Sequence, residues 1–392
     1  MSGPPLFGPP AAGSDDERRA LLRLTLVSGV GPRTARALLD KYGTATRVFD
    51  ASEESLRATE GVGPKLARAV ARAPRDVDLE AEIALCLRHG VTTVVGLDAV
   101  FPSPLREIPD APSLLYVRGR LEQRDALAIG LVGSRRCTPY GLRIAERLAT
   151  SLSRAGVTIV SGLARGIDAA AHRGALRAGG RTVAVLANGL AEVYPPEHEG
   201  LAAEVAAAGA VISESPMLQA PLAGLFPQRN RIIAGLCVGV IVVEATPRSG
   251  SLSTARHALE QGREVFAVPG PVDSLVSRGC HRLIRDGARL VETAEDVLEE
   301  LGGRVRDFVT ATAVPAASGP TKGDDVQHAA RGVDALGEVE RAVWTRLDDS
   351  PRAVDELIAT TGLTPAQVLA TLSMLEVRRL VRRLPGHCFV RA

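Results

Sequence analysis

Lysine is almost missing from this sequence: 3 lysines stand against 44 arginines in 392 residues. A GC-rich genome that favours arginine codons explains such a bias without any function. Arginine still supplies planar donor forks that suit phosphate, whatever placed it there. Cysteine is sparse and scattered (Cys86, Cys137, Cys237, Cys280, Cys388), with no Cys-x-x-Cys pair. That excludes a disulfide scaffold and a cysteine zinc site. Aromatic side chains make up 3% of the chain, too few for a broad stacking platform. No apolar run approaches the roughly 18 residues of a membrane span. The start, "MSGPPLFGPPAAGSDDE", lacks the basic head and apolar centre of a signal peptide, so a cytoplasmic protein without a membrane partner is expected. Net charge is only +2, so no global field draws a polyanion to the surface.

What is present divides the chain into parts. Its length and its 45% hydrophobic content imply two or three domains with real cores. Residues 1–16, rich in Pro, Gly and small side chains, read as a disordered tail. Residues 17–75 read as a helical domain containing a near-repeat: "VSGVGPRTARALLDKYG" (27–43) is echoed by "TEGVGPKLARAV" (59–70). The pattern resembles a tandem helix-hairpin-helix (SAM-like) module, in which the glycine turn lets helix-start N–H groups approach a DNA phosphate. A small helical bundle that uses the glycines only for tight turns accounts for the same residues, and both readings stay open.

Residues 76–301 read as an extended α/β domain. Apolar runs at 126–132, 157–160, 182–187, 210–213, 238–245, 264–270 and 288–291 alternate with helical segments. Continuous runs of this kind fit strands buried on both faces, hence a Rossmann-like, mostly parallel sheet. Residues 302–336 read as a linker, and 337–392 as a winged helix. Its third helix is capped by Thr364 with Pro365 in the first turn, and a small hairpin follows in "LVRRLPGHCFVRA".

Ligands of open α/β sheets sit at the carboxyl ends of the strands. The loops expected there carry Gly133, Ser134 and Arg135; Ser161, Gly162, Arg165 and Gly166; Arg229, Asn230 and Arg231; and Arg248, Ser249, Gly250 and Ser251. Each loop leads into a helix start, where unpaired N–H groups and the helix dipole favour anions. The arginines are expected to converge on one face and meet more than one phosphate. "LVGSRRCTPYG" lacks Gly-x-Gly-x-x-Gly, no acidic residue closes the second strand, and no Walker loop is present. A dinucleotide cofactor and P-loop chemistry are therefore set aside, and no cofactor is expected.

Residues from about 100 to 300 carry a long ordered set of motifs: "FPSPLREIPDAPSLLYVRG", "GSRRCTPYG", "SGLARGIDAAAHRGAL", "AVLANGLAEVYP", "LFPQRNRIIAGL", "VVEATPRSGSLSTARHALEQGREVFAVPG" and "GCHRLIRDGARLV". This region closely resembles the DNA-processing protein A (DprA) family. The resemblance implies a non-enzymatic protein that binds single-stranded DNA, helps load the RecA recombinase in natural transformation, and forms homodimers through the α/β domain. It also implies the flanking helical module and winged helix. Ala191, His198 and the pair Cys280–His281 depart from the family pattern beside the expected ligand face.

Several residues invite sharper readings. Asp168 and His172 stand four apart, but one such pair without a third ligand makes no metal site. Asp168 reads as a helix-start acid and His172 as a packing residue. Glu214 and Glu244 read as partners that pin nearby arginines rather than as general acids. Cys137 lies beside Arg135 and Arg136, yet no histidine partner makes it a nucleophile. Phe226 and Tyr140 are the expected stacking residues. The rival to DNA binding is a nucleotide-binding protein, or an enzyme that hydrolyses nucleoside monophosphates on a related Rossmann-like fold. "PRSGSLSTARHALEQG" resembles the loop of such enzymes, but lacks their paired glycines and Gly-Thr, and Glu260 comes too late for the catalytic Glu.

Overall fold

The computed structural model describes residues 15–302, 338–348, 352–363, 368, 371–372, 375, 381–384 and 388–391. The expected tail lies outside these residues apart from Asp15 and Asp16, and the expected linker apart from Gly302. The chain forms two compact units, residues 1–313 and 314–392.

The first unit opens with helices α1 (Asp15–Leu26), α2 (Pro32–Tyr42), α3 (Ala45–Asp50), α4 (Glu53–Arg57), α5 (Pro64–Asp76) and α6 (Leu79–Arg88). The near-repeat is repeated in three dimensions. Gly31 and Gly63 are extended N-caps, and Pro32 and Pro64 follow in the first turn, where a missing N–H costs nothing. Leu24, Leu38, Val48, Leu56 and Val70 form the small core of this module. Arg18 of α1 donates to Asp98 Oδ2 at 3.0 Å, and both side chains are buried. That contact fastens the module to the sheet domain.

Nine strands follow, in the order β1-β2-β6-β5-β4-β3-β7-β8-β9. β3 (Ala128–Val132), β4 (Thr158–Ser161), β5 (Thr182–Val185), β6 (Ala210–Ser213), β7 (Gly239–Val242), β8 (Glu264–Ala267) and β9 (Arg289–Leu290) are parallel. They coincide with the seven apolar runs. β1 (Val91–Val95) and β2 (Leu114–Gly119) pair antiparallel to each other, and β2 pairs antiparallel to β6. This edge was not among the expected strands. The short helix α7 (Ser103–Arg106) joins β1 to β2, and the crossovers are α8 (Pro139–Arg154), α9 (Ile167–Arg177), α10 (Glu199–Ala208), α11 (Leu225–Leu236), α12 (Ser251–Glu260) and α13 (Arg278–Arg285).

The period of two explains the layers. Ile129 and Leu131 face a core with Leu148 and Leu152 of α8 and Ile167 of α9. Ala128 and Val132 face the opposite core with Ile232, Ile233 and Leu236 of α11. The sheet is thus covered on both sides, as its unbroken apolar strands require. The direction of winding reverses between β3 and β7, so their carboxyl ends open a crevice at the switch point.

In the second unit, helices Glu338–Trp344 and Val354–Thr361 accompany a sheet of order β10-β12-β11, made of β10 (Arg352–Ala353), β11 (Val381–Leu384) and β12 (Cys388–Arg391). Val368, Thr371, Leu372 and Leu375 are helical and buried, at the spacing of one helix face. The rest of the expected third helix lies outside the described residues.

Candidate nucleic-acid interface

Two loops build the surface above β3 and β4. The first runs from Gly133, packed on Ile167, to Thr138, whose Oγ1 caps α8 by accepting from Gly141 N at 3.2 Å. Glu244, just past β7, accepts from Thr138 N at 2.8 Å and from Thr138 Oγ1 at 2.6 Å. Glu244 therefore spans the switch-point crevice and holds a backbone amide and a hydroxyl, where pairing with an arginine was expected. Ser134 is buried and its Oγ accepts from Arg136 N at 3.1 Å. Arg135 is exposed above it, with its guanidinium 4.8 Å from the centre of the Phe226 ring. That distance is a cation–π contact. Cys137 is half-buried, and its thiol is raised by burial and by Glu244 rather than lowered by the exposed arginines beside it.

The second loop follows β4. Ser161 is buried and donates to Leu131 O at 2.7 Å. Leu163 takes φ 57 and Gly166 φ 77. A β-carbon on Gly166 would lie 2.3 Å from Ser134 O, so only glycine lets the two loops touch. A left-handed leucine costs on the order of 1 kcal/mol and persists only where the surroundings enforce it. They do so here. Asp168 Oδ2 accepts from Gly162 N at 3.1 Å and Ala164 N at 3.4 Å, and His198 Nδ1 donates to Leu163 O at 2.8 Å. Asp168 is thus a loop clamp, and the Gly162 amide, expected to face an anion, is already taken. His172 packs as expected, with Nδ1 2.7 Å from Thr182 Oγ1. Among the described residues no group of three or more His, Cys, Asp or Glu side chains could hold a metal ion.

The arginines separate into two kinds. Arg165 is exposed and pairs with Glu197, which raises the arginine and lowers the carboxyl. Arg135 and Arg165 line one small recess together with Gly162, Ala164, Tyr194, Pro195 and Phe226. The Tyr194 and Phe226 rings meet at 5.9 Å with their planes 58° apart, a tilted aromatic pair. Arg248 is exposed on the loop before α12, where Ser249 Oγ and Ser251 Oγ lie 2.7 Å apart and Gly250 is open to solvent. Asn230 Nδ2 donates to Gly250 O at 3.2 Å and ties that loop to α11.

Arg229 and Arg231 behave otherwise. They lie in the second turn of α11, not at its start, and are 5% and 4% exposed. Arg229 Nη1 donates to Gly162 O at 2.9 Å and also to Val185 O, joining the ends of β4 and β5. Burial lowers its pKa to about 10; Asp168 opposes that shift and Arg135 adds to it. Arg231 donates to Glu214 and lies 3.5 Å from Asp110. Glu214 is raised by burial and held down by Arg231. The expected pinning of an arginine by Glu214 is what the structure contains. Tyr140 turns away to donate to Pro269 O at 2.9 Å. Tyr194, absent from the expected stacking pair, takes its place beside Phe226. The family departures serve packing: His198 clamps Leu163, His281 Nε2 donates to Gly270 O at 3.0 Å, and Cys280 is buried.

A doubly wound α/β domain thus follows a tandem helical module and carries exposed arginine and aromatic residues at its strand ends. Residues 92–302 match the family model described as DNA recombination-mediator protein A, 327–387 the DprA winged helix domain, and 21–76 the SAM-like helix-hairpin-helix tandem. The chain is 33% identical over 398 residues to Protein Smf of Synechocystis, covering 96% of this chain and 100% of that protein. The crystal structure of DNA processing protein A from Streptococcus pneumoniae superposes with a TM-score of 0.62 at 36% identity, covering 71% of this chain and 95% of that one. A Helicobacter pylori DNA processing protein A, solved for its single-stranded DNA binding mode, superposes at 0.50 with 29% identity, covering 55% and 96%. The chain belongs to the DprA/Smf family.

Proposed function

We propose that this protein binds single-stranded DNA across the carboxyl ends of β3 and β4 and the start of α11. The observation that carries the reading is the single recess in which exposed Arg135 and Arg165 stand beside the Tyr194–Phe226 pair. Phosphates take the arginine forks, with Arg248 extending the track, and bases rest on the aromatic pair. Among the described residues of this surface no row of amide side chains is set to read base edges, so binding tolerates sequence. The single-stranded DNA binding mode for which the Helicobacter pylori relative was solved supports the same ligand here.

Two finer steps rest on the family resemblance: delivery of the strand to the RecA recombinase in natural transformation, and a homodimer through the α/β domain that pairs two such surfaces. We read the protein as a binding protein rather than an enzyme, because the 247–262 loop lacks the paired glycines of nucleoside-monophosphate hydrolases. Release of adenine from AMP tests that rival directly. For the main reading, filter binding should show equal affinity for oligo-dT and a mixed-sequence strand and weaker binding of duplex of the same length. Duplex bound as tightly as single strand would reject it.

A further inference from the structure

A cleft of about 520 Å³ opens elsewhere along the strand ends, between the helical module and the carboxyl ends of β5 and β6. Small-molecule sites commonly enclose about 300–1,000 Å³. Val27 and Val30 of the hairpin before α2, Leu114 of β2 and Leu186 just past β5 give it apolar walls, while Glu214 and Arg229 supply charge. The strand-binding recess is separate: Phe226 faces that recess, and Leu225 and Gln228 line the cleft, so the first turn of α11 divides the two.

Arg229 is the second observation. It is 5% exposed, its Nη1 is occupied by two carbonyls, and its Nε has no hydrogen-bond partner. Asp168, the acid that opposes the lowering of its pKa, has its Oδ2 committed to the Gly162 and Ala164 amides. A buried cation without a directly bonded carboxylate favours an incoming anion. Glu214 stands just past β6 with Oε2 engaged by Arg231. An ionised carboxylate only accepts hydrogen bonds, so the other oxygen of Glu214 suits a hydroxyl donor such as a sugar.

We propose that this cleft binds a free ribonucleoside monophosphate, its phosphate against Arg229, its sugar hydroxyls on Glu214 and its base between the apolar walls. The site does not depend on the DNA reading. The test is calorimetric titration of the full chain with AMP and with dAMP, repeated on Gln219→Trp. Gln219 lines the cleft, and its fold contacts run through its backbone and a bond to the next residue, so the indole fills the space without breaking the fold. AMP should bind saturably, dAMP about tenfold more weakly (about 1.4 kcal/mol). Gln219→Trp should lose AMP while keeping its affinity for oligo-dT. Three results would each overturn the proposal: no saturable AMP binding at millimolar concentration, equal affinity for AMP and dAMP, or AMP binding that survives Gln219→Trp but is lost in Arg135→Ala. The last would put the nucleotide in the strand-binding recess.

Discussion

Arg229 Nη1 donates to Gly162 O at 2.9 Å from beneath the loop that Arg165 crowns. Two arginines of neighbouring motifs therefore do different work. Arg229 shapes the loop from inside the fold, whereas Arg165, exposed above it and paired with Glu197, is the one we propose exchanges that partner for a phosphate.

Arg229→Ala is expected to lower stability by about 3 kcal/mol, because two buried carbonyls lose a charged donor. The dependence of log K on log salt for oligo-dT should keep its wild-type slope. Urea unfolding and a salt series on one preparation check both. A slope flattened by about 0.7 at unchanged stability would put Arg229 on a phosphate instead.

Arg231→Ala leaves Glu214 and Asp110 without the cation they share. Breaking a fully buried pair costs about 3–5 kcal/mol, and with both carboxylates partly exposed the loss here should be about 2–3 kcal/mol. The loss should appear as a lowered melting temperature, again without a change of salt slope. Double replacement by Arg231→Met and Glu214→Leu should recover much of the stability, since no uncompensated carboxylate then remains at position 214.

His172 makes the fold acid-sensitive. Its ring is fully buried, Nε2 has no partner, and burial pushes its pKa down to about 3. The unfolded ring titrates near 6.5. The neutral ring's contribution is therefore complete above about pH 6.5 and declines as pH falls from there toward 3, by at most several kcal/mol. His172→Gln should flatten the stability profile over that window, as read by unfolding at a series of pH values. An equal decline in the variant would assign the acid loss to other groups.

The second unit should contribute little to strand affinity. Residues 364–376, "TPAQVLATLSMLE", contain no Lys or Arg, and the basic residues Arg378, Arg379, Arg382 and Arg383 follow them. A winged helix that reads duplex DNA needs basic or amide side chains on that helix. Deleting 337–392 should change oligo-dT affinity by less than about tenfold. Limited proteolysis should cut first within 302–336, and a first cut inside 126–300 would contradict the division of the chain.

The parallel sheet was legible because strands buried on both faces leave unbroken apolar runs, as six of the seven did; the seventh, β9 at the sheet edge, is exposed. The β1–β2 edge was not, because "VTTVV" mixes threonine into its run and "LLYVRG" lies in a segment that showed no alternation with helix. The arginines of "FPQRNRIIAG" misled in the same way. Arginine is rarely buried, and although Glu214 was expected to pin a nearby arginine, nothing local in the sequence announces that Val185, Gly162 and Asp110 will converge on that helix as well. Such partners come from four separate segments. Phe226 was readable as a lone aromatic beside arginines, whereas Tyr194 became a neighbour only through the chain's return after β5.

We propose above all that the exposed arginines of the strand-end loops neutralise phosphates of a single strand. The most direct measurement is the salt dependence of oligo-dT binding for Arg135→Ala, Arg165→Ala and Arg248→Ala, singly and combined. Each neutralised phosphate contributes about −0.7 to the slope of log K against log salt. A flattening of about 0.7 is expected for each single variant and about 2 for the triple, with melting temperatures near wild type. A folded triple variant with wild-type slope and affinity would contradict it.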